Sequence, residues 1–218
     1  MGPVVVFDFD GTVAVTLPLC YYAFQQVFRT FDQREVSAED VAGMFGPPEA
    51  GILHQHLVNQ ARIEDAVAWY DRSYEASHET HVQPFEPVHQ LLQDLNREGY
   101  RLAVCTGKGR RGLEISLRQL GLQGLFEMEI TGDDVAMPKP HPEGLLAIIE
   151  RMAGDVNTML MVEDSDADIE AAKRVGIRSV RVDWFSSVPH AFQTTPDCVC
   201  ATVDALRTVL AHAFAGTL

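Results

Sequence analysis

Short runs of apolar residues, each the length of one β-strand, recur along the chain and constrain its fold more than any other feature. The clearest runs cover residues 4–7, 102–105, 159–162 and 179–182, and residues 128–130 form a weaker fifth. They are rich in Val, Leu, Ile and Met and do not alternate with polar residues, which is typical of parallel strands covered on both faces. We therefore expect one buried, mainly parallel sheet.

Amphipathic helical patterns separate these runs. They cover residues 87–98, 112–120, 142–152 and 167–175, and a last pattern at residues 203–214 is expected to pack on the edge of the sheet. Glycines follow several of them, as is common where helices end. The alternation of strands and helices predicts an α/β fold with a Rossmann-like, doubly wound sheet.

One long segment interrupts the alternation. Residues 14–84 contain no convincing strand. Their helical stretches are residues 19–30, 50–61 and 64–78. An all-helical insert after the first strand would lie over the carboxyl ends of the strands, where open α/β sheets place their sites. We therefore predict a core domain of residues 1–13 plus 85–218 and a helical cap domain of residues 14–84.

The charge balance narrows the choice of partners. The chain of 218 residues has 31 Asp and Glu against 17 Lys and Arg, a formal net charge of −14. A surface so acidic repels nucleic acids and anionic membranes, so we expect neither as a partner. The four cysteines form no disulfide pattern, and no targeting or membrane-spanning segment is recognisable, so we expect a cytoplasmic protein, either a monomer or a homodimer.

Two carboxylates, Asp8 and Asp10, follow the first apolar run, and Gly11 permits a sharp turn after them. Unpaired charge at the end of a buried strand is costly. Either one of the acids caps a helix, or a bound cation stabilises the pair.

A second acidic group comes after the strand at residues 159–162 and consists of Glu163, Asp164 and Asp168. Asp164 with Ser165 could simply cap the next helix. Together, however, the two groups place five carboxylates at neighbouring strand ends, an arrangement that requires a cation. Oxygen ligands of this kind suit Mg²⁺, which needs only a few carboxylates and keeps several waters.

Polar residues that could bind an anion lie between the two acidic groups. Thr106, Gly107 and Lys108 follow the strand at residues 102–105, where a hydroxyl and backbone N–H groups at a helix start can hold phosphate oxygens. Lys139 lies between two prolines. It is either a solvated linker residue or a positioned charge.

In this order, the residues resemble the four motifs of the haloacid dehalogenase superfamily of phosphohydrolases, in the subgroup with a helical cap after the first strand. The motifs are Asp8-x-Asp10-Gly11-Thr12, Thr106, Lys139 and Glu163-Asp164-x-x-x-Asp168. The resemblance extends over residues 4–182. It implies a magnesium-dependent enzyme that hydrolyses a small phosphorylated metabolite, similar to phosphoglycolate phosphatases.

The resemblance also implies roles. Asp8 would attack phosphorus and form an aspartyl-phosphate, and Asp10 would protonate the leaving oxygen and later deprotonate water. Thr106 and Lys139 would bind the phosphoryl group. The magnesium ligands would be Asp8, the backbone carbonyl of Asp10 and Asp164, with Glu163 or Asp168 helping directly or through water.

The expected substrate contacts outside these motifs are Gly107, Lys108 and Glu49. Glu49 lies in a cap loop, residues 43–51, that has no Arg or Lys. That argues against a strongly anionic substrate, unless Lys108, Arg110 or Arg111 supplies positive charge from the core.

Four alternatives stay open. The same fold carries sugar-phosphate mutases of the β-phosphoglucomutase type and pyrophosphatases. At the position of Glu163 many relatives have Gly, and the relatives with Glu include mutases as well as phosphatases. The cap loop without cations argues against a mutase. A binding protein without turnover would have lost Asp8, Asp10 or Lys139, and dehalogenases dispense with the metal and the second Asp of the first motif.

Overall fold

The computed structural model describes residues 2–153, 155–185 and 193–215. A parallel β-sheet lies at its centre. The strands are β1 (Val4–Phe7), β2 (Arg101–Cys105), β3 (Met128–Ile130), β4 (Met159–Glu163), β5 (Arg178–Val182) and β6 (Cys198–Cys200). They are arranged in the order β3-β2-β1-β4-β5-β6 and every pair is parallel. The predicted doubly wound α/β fold is confirmed.

All five predicted strands are present, and β6 was not predicted from the sequence. This strand has three residues at the sheet edge, and its central residue, Val199, is 53% exposed. Such a short, half-exposed strand lacks the continuous apolar run that marks strands covered on both faces.

Both faces of the sheet are covered. Val5 and Phe7 of β1 belong to a large apolar cluster that also includes residues of the helical insert, whereas Val4 and Val6 belong to a smaller cluster on the opposite face. Successive strand residues point to opposite faces. An uninterrupted apolar run is therefore what a strand buried in this way requires.

Helices surround the sheet. They are α1 (Leu17–Asp32), α2 (Ala38–Ala42), α3 (Glu49–His56), α4 (Ile63–His81), α5 (Glu86–Arg97), α6 (Arg110–Gln119), α7 (Glu143–Ile148), α8 (Asp166–Val175) and α9 (Val203–Ala213). A π-helical turn, Ile149–Ala153, continues α7. Among the described residues, no helix is both long and apolar enough to cross a membrane.

The insert that follows β1 contains the helices α1 to α4 and no strand among its described residues. α1 and α4 form its centre, where the rings of Phe24 and Tyr70 lie 4.6 Å apart. The division of the chain into a cap and a core at residues 14–84 stays a prediction.

One predicted helix is wrong in its second half. The pattern at residues 50–61 predicts a continuous helix, but α3 ends at His56 and Leu57 is extended. The carboxylate of Asp32 at the end of α1 accepts the backbone N–H groups of Val58 and Asn59 at 2.9 and 3.0 Å. These tertiary hydrogen bonds replace the helical ones, and the local pattern could not reveal them.

Candidate active site

The loop after β1 brings the first and last acidic motifs together. Asp8 continues β1, with its backbone N–H 2.9 Å from the carbonyl oxygen of Val162 in β4. Thr12 donates a hydrogen bond from Oγ1 to Asp164 Oδ1 at 3.0 Å. Gly11 has a φ of 91°, and a Cβ atom there would overlap the Asp164 carboxylate. Glycine is therefore required both for the turn and for the close approach.

Lys139 is fixed over the nucleophile predicted from sequence. Its Nζ lies 2.8 Å from Asp8 Oδ1 and 3.1 Å from the carbonyl oxygen of Cys105, and it also contacts the carboxylate of Asp168. Burial would lower the pKa of Lys139, but the carboxylates of Asp168 and Asp8 raise it well above its ordinary value. Lys139 is thus a positioned charge and not a solvated linker residue.

Asp168 is engaged through both of its carboxylate oxygens. One oxygen contacts Lys139, and the other accepts a hydrogen bond from the Ser165 hydroxyl, which also caps α8. The prediction that Asp168 helps to bind the metal stays untested. Its observed partners favour a role in holding Lys139.

Asp8, Glu163 and Asp164, at the ends of β1 and β4, are three carboxylic acids whose pKa values are raised. Burial raises the pKa of Asp8 well above its ordinary range, against the opposing effect of Lys139. Burial, followed by the charge of Asp168, raises the pKa of Glu163 to about 9 and that of Asp164 to about 7. A cation beside them would restore the ionised forms.

The donor atoms at this place fit the predicted Mg²⁺. Glu163 is fully buried; its Oε2 accepts the backbone N–H of Ser165 at 2.9 Å, while Oε1 has no hydrogen-bond partner. Within the described part of the chain, no three His, Cys, Asp or Glu side chains form a recognisable metal cluster. Mg²⁺ does not need three, because it usually binds one or two carboxylates and retains water. Asp8 and Asp164, with the Asp10 backbone carbonyl, would be such a set.

The second cation of the site, Lys108, is completely buried. Its Nζ lies 3.2 Å from Asp10 Oδ1, 3.5 Å from Glu49 Oε1 and 3.4 Å from Cys20 Sγ, and 4.7 Å from the centre of the Tyr74 ring. Burial would lower the pKa of Lys108, yet the carboxylate of Asp10 and its other neighbours raise it well above its ordinary value. Lys108 therefore pairs with a carboxylate from the loop after β1 and with one from the helical insert.

Hydrogen bonds with nearby residues hold Asp10 and Thr106 in place. Asp10 accepts a hydrogen bond from the Thr16 hydroxyl in addition to its contact with Lys108. Thr106 is buried, and its Oγ1 accepts the backbone N–H of Lys108 at 3.2 Å. Thr16 was not predicted as a site residue.

Glu49 links the insert to the core. It is the first residue of α3, and its Oε2 accepts the backbone N–H of Gly109, the residue that precedes α6, at 2.6 Å. The other carboxylate oxygen faces Lys108. Glu49 was predicted from the sequence as a substrate contact, but its pairing with Gly109 and Lys108 was not predicted.

These side chains enclose a cavity of about 290 Å³ between the strand ends and the helical insert. The predicted site residues that line it are Asp8, Asp10, Glu49, Thr106, Gly107, Lys108, Lys139, Asp164 and Asp168. Glu163 lies buried and does not line it. The insert adds an apolar wall. Phe45, Pro47 and Pro48 of this wall belong to the cap loop 43–51, whereas Leu17, Cys20, Phe24 and Ile52 were not predicted from the sequence.

Comparison with known families agrees with this geometry. The family model described as haloacid dehalogenase-like hydrolase matches residues 5–182. The chain belongs to this family. The predicted family is confirmed, and so is the prediction of an enzyme, a hydrolase.

Individual proteins resemble the chain in sequence or in fold. The chain is 30% identical over 182 residues to the pyrophosphatase PpaX of Bacillus mycoides (strain KBAB4), which covers 83% of each protein. The structure of CbbY from Rhodobacter sphaeroides in complex with phosphate has a TM-score of 0.78 at 22% identity, over 93% of this chain and 95% of that one. The structure of a predicted phosphoglycolate phosphatase from Haemophilus somnus has a TM-score of 0.76 at 23% identity, over 95% of this chain and 97% of that one. These two structures share the fold of the chain.

Proposed function

We propose that this hydrolase is a magnesium-dependent phosphatase that cleaves a small organic phosphomonoester through an aspartyl-phosphate intermediate. The observation that carries the proposal is the position of Asp8. Its carboxylate lies at the end of β1, lines the cavity and is 2.8 Å from the Lys139 ammonium group. A carboxylate so placed can act as a nucleophile toward phosphorus without an activating base.

The first half-reaction divides between the two acids of the first motif. Asp8 forms a bond from its carboxylate oxygen to phosphorus while the bond from phosphorus to the leaving oxygen breaks. Asp10 gives its proton to that leaving oxygen. Contacts with Thr16 and Lys108 orient the Asp10 carboxylate toward the cavity.

In the second half-reaction, Asp10 takes a proton from a water molecule, and the resulting hydroxide attacks phosphorus and releases Asp8. Thr106 and Lys139 line the space for the phosphoryl oxygens, and Asp168 holds Lys139 in place. When bound by Asp8, Asp164 and the Asp10 carbonyl, the metal would supply positive charge that keeps Asp8 ionised and neutralises the phosphoryl group. Positioning and charge neutralisation account for most of what phosphoryl transfer requires.

A second candidate is hydrolysis of pyrophosphate. It is favoured by the name of the relatives that share about 30% identity with the chain over most of its length. A mutase is a third reading on the same fold. We also propose a cytoplasmic monomer or homodimer whose partner is a small phosphorylated metabolite, with neither nucleic acid nor membrane as a ligand, in keeping with the net charge of −14.

The test is phosphate release from 4-nitrophenyl phosphate by the wild type, Asp8→Asn and Asp204→Asn. Asp204 is an exposed residue of α9 and serves as a matched control. We expect Asp8→Asn to lower kcat by at least about 10³-fold, because the nucleophile is lost. Chelation should abolish wild-type activity and Mg²⁺ should restore it. Unchanged turnover in Asp8→Asn would refute the nucleophile, and activity in chelator would refute the metal.

A further inference from the structure

The cavity wall that would surround a leaving group has little charge to offer. Within the described residues, the cations that line the cavity are Lys108 and Lys139. Lys139 is engaged by Asp8 and Asp168. Lys108 is engaged by Asp10 and, from the insert, by Glu49. Neither ammonium group is left to pair with a second anionic group of a substrate.

The nearby arginines do not supply the missing charge. Arg110 pairs with Glu129 at 3.2 Å and also contacts Asp134. Arg111 lies 3.4 Å from Glu75. Both arginines begin α6, yet neither lines the cavity. The possibility that either neutralises an anionic substrate from the core side therefore has no support in the positions of these side chains.

The charge that the insert does contribute is negative. The Glu49 side chain is 14% exposed, and its carboxylate is held by the N–H of Gly109 as well as by Lys108. Around it the insert is apolar, with Leu17, Phe24, Phe45 and Ile52 facing the cavity. An anionic leaving group would meet this carboxylate at close range without a compensating cation, which is unfavourable because like charges repel.

We infer that the substrate carries its phosphate on an uncharged, largely apolar leaving group, and that Glu49 excludes leaving groups with a second negative charge by occupying Lys108. This inference rests on the proposed phosphatase activity. The cavity of about 290 Å³ is of a size that suits a small molecule. The apolar side chains that the insert contributes would select the leaving group largely by the fit of apolar surface.

A matched pair of esters tests the inference on the wild type. Isobutyl phosphate and phosphoglycolate have leaving groups of nearly equal size, one uncharged and one with a carboxylate. We expect kcat/KM to be at least about tenfold higher for isobutyl phosphate, since burying one uncompensated charge costs more than one tenfold step in affinity. Equal values, or a preference for phosphoglycolate or pyrophosphate, would overturn the inference.

The role of Glu49 is tested with Glu49→Gln, which keeps an oxygen for the Gly109 N–H and leaves Lys108 without its partner from the insert. We expect the ratio of kcat/KM for phosphoglycolate over isobutyl phosphate to rise about tenfold. The control is Glu39→Gln, which makes the same charge change on exposed α2, outside the cavity, and should leave the ratio unchanged. If the ratio is unchanged in folded Glu49→Gln, the proposal that Glu49 excludes anionic leaving groups is wrong.

Two failures are distinguishable in this design. Hydrolysis of 4-nitrophenyl phosphate together with a preference for anionic esters would overturn the inference and leave the phosphatase standing. No hydrolysis of any of these esters in Mg²⁺ would overturn both. Thermal unfolding of Glu49→Gln reports whether it folds, and if it does not, the wild-type comparison of the two esters decides alone.

Discussion

The two walls of the cavity are built in opposite ways. The core wall consists of charged and hydroxyl side chains at strand ends, each fixed by hydrogen bonds or ion pairs, as Asp8 is by Lys139 and Asp164 by Thr12. The wall from the insert is apolar except for Glu49. A reaction in which charge develops is accelerated by polar groups that are already fixed in position. Discrimination against an anionic leaving group requires a wall of matching shape that offers it no positive charge. One wall is thus suited to the reaction and the other to selection.

After the loss of the nucleophile itself in Asp8→Asn, the largest expected effect is that of Lys139→Met on the core wall. Removing one partner of a buried ion pair leaves uncompensated carboxylates on Asp8 and Asp168. We expect about 3 kcal/mol of destabilisation and at least about a 10²-fold loss of kcat, measured by denaturant unfolding and phosphate release. The same substitution at exposed Lys173 on α8 is the control.

A double variant separates the two losses. Adding Asp168→Asn to Lys139→Met removes one of the unpaired carboxylates, so stability should partly return while activity should not. Recovery of activity in the double variant would contradict the role of Lys139 at the phosphoryl group. Full stability in the single variant would contradict the importance of the buried pair.

A smaller effect is expected where the two walls are joined. His78 and Tyr74 of α4 both contact the Ser116 hydroxyl of α6, at 3.2 and 2.8 Å, and all three are buried. Burial, followed by the charge of Lys108, lowers the pKa of His78 from 6.5 to about 4. In the unfolded chain His78 binds a proton at a higher pH than in the fold, so its contribution to stability is present above pH 6.5 and is lost as the pH falls toward 4.

We expect the free energy of unfolding of the wild type to lose up to about 3 kcal/mol from this group between pH 6.5 and pH 4. His78→Gln should show a smaller decline over the same interval, and His54→Gln, at an exposed position on α3, should follow the wild type. Denaturant titrations at several pH values give the slopes. Parallel slopes for wild type and His78→Gln would show that His78 is not held neutral.

The smallest effect is expected on the apolar wall. Phe45 stacks on Tyr21 with ring centres 5.7 Å apart, lines the cavity and is 41% exposed. Phe45→Ala should raise KM for isobutyl phosphate about fivefold with little change in kcat, because it removes apolar contact and no charge. Trp69→Ala, at an exposed aromatic residue of the insert outside the cavity, is the control. A large fall in kcat would contradict this prediction and show that the apolar wall contributes to the chemical step.

The two walls also differ in how far the sequence predicts them. Asp8, Thr106 and Asp164 each follow an apolar run, and the ends of parallel strands meet at one edge of a sheet, so their proximity could be predicted. The four motifs added the family and the role of Lys139. The core wall was therefore accessible from the order of residues along the chain.

The wall from the insert was not accessible in this way. The contact of Glu49 with Lys108 and Gly109 depends on how α3 lies against the start of α6, and the spacing of apolar residues does not determine the direction of a helix relative to a distant sheet. The same holds for Ser116, whose two buried partners come from α4. Packing between elements far apart in sequence sets these contacts.

Gly11 shows that constraint and chemistry are separate properties of a position. It has no functional group, yet the Asp164 carboxylate lies where its first side-chain carbon would be, and its φ of 91° is one that other residues rarely adopt. Any replacement would have to displace a residue proposed to hold the metal. A residue that never touches substrate is thereby as restricted as one that does, and what restricts it is volume.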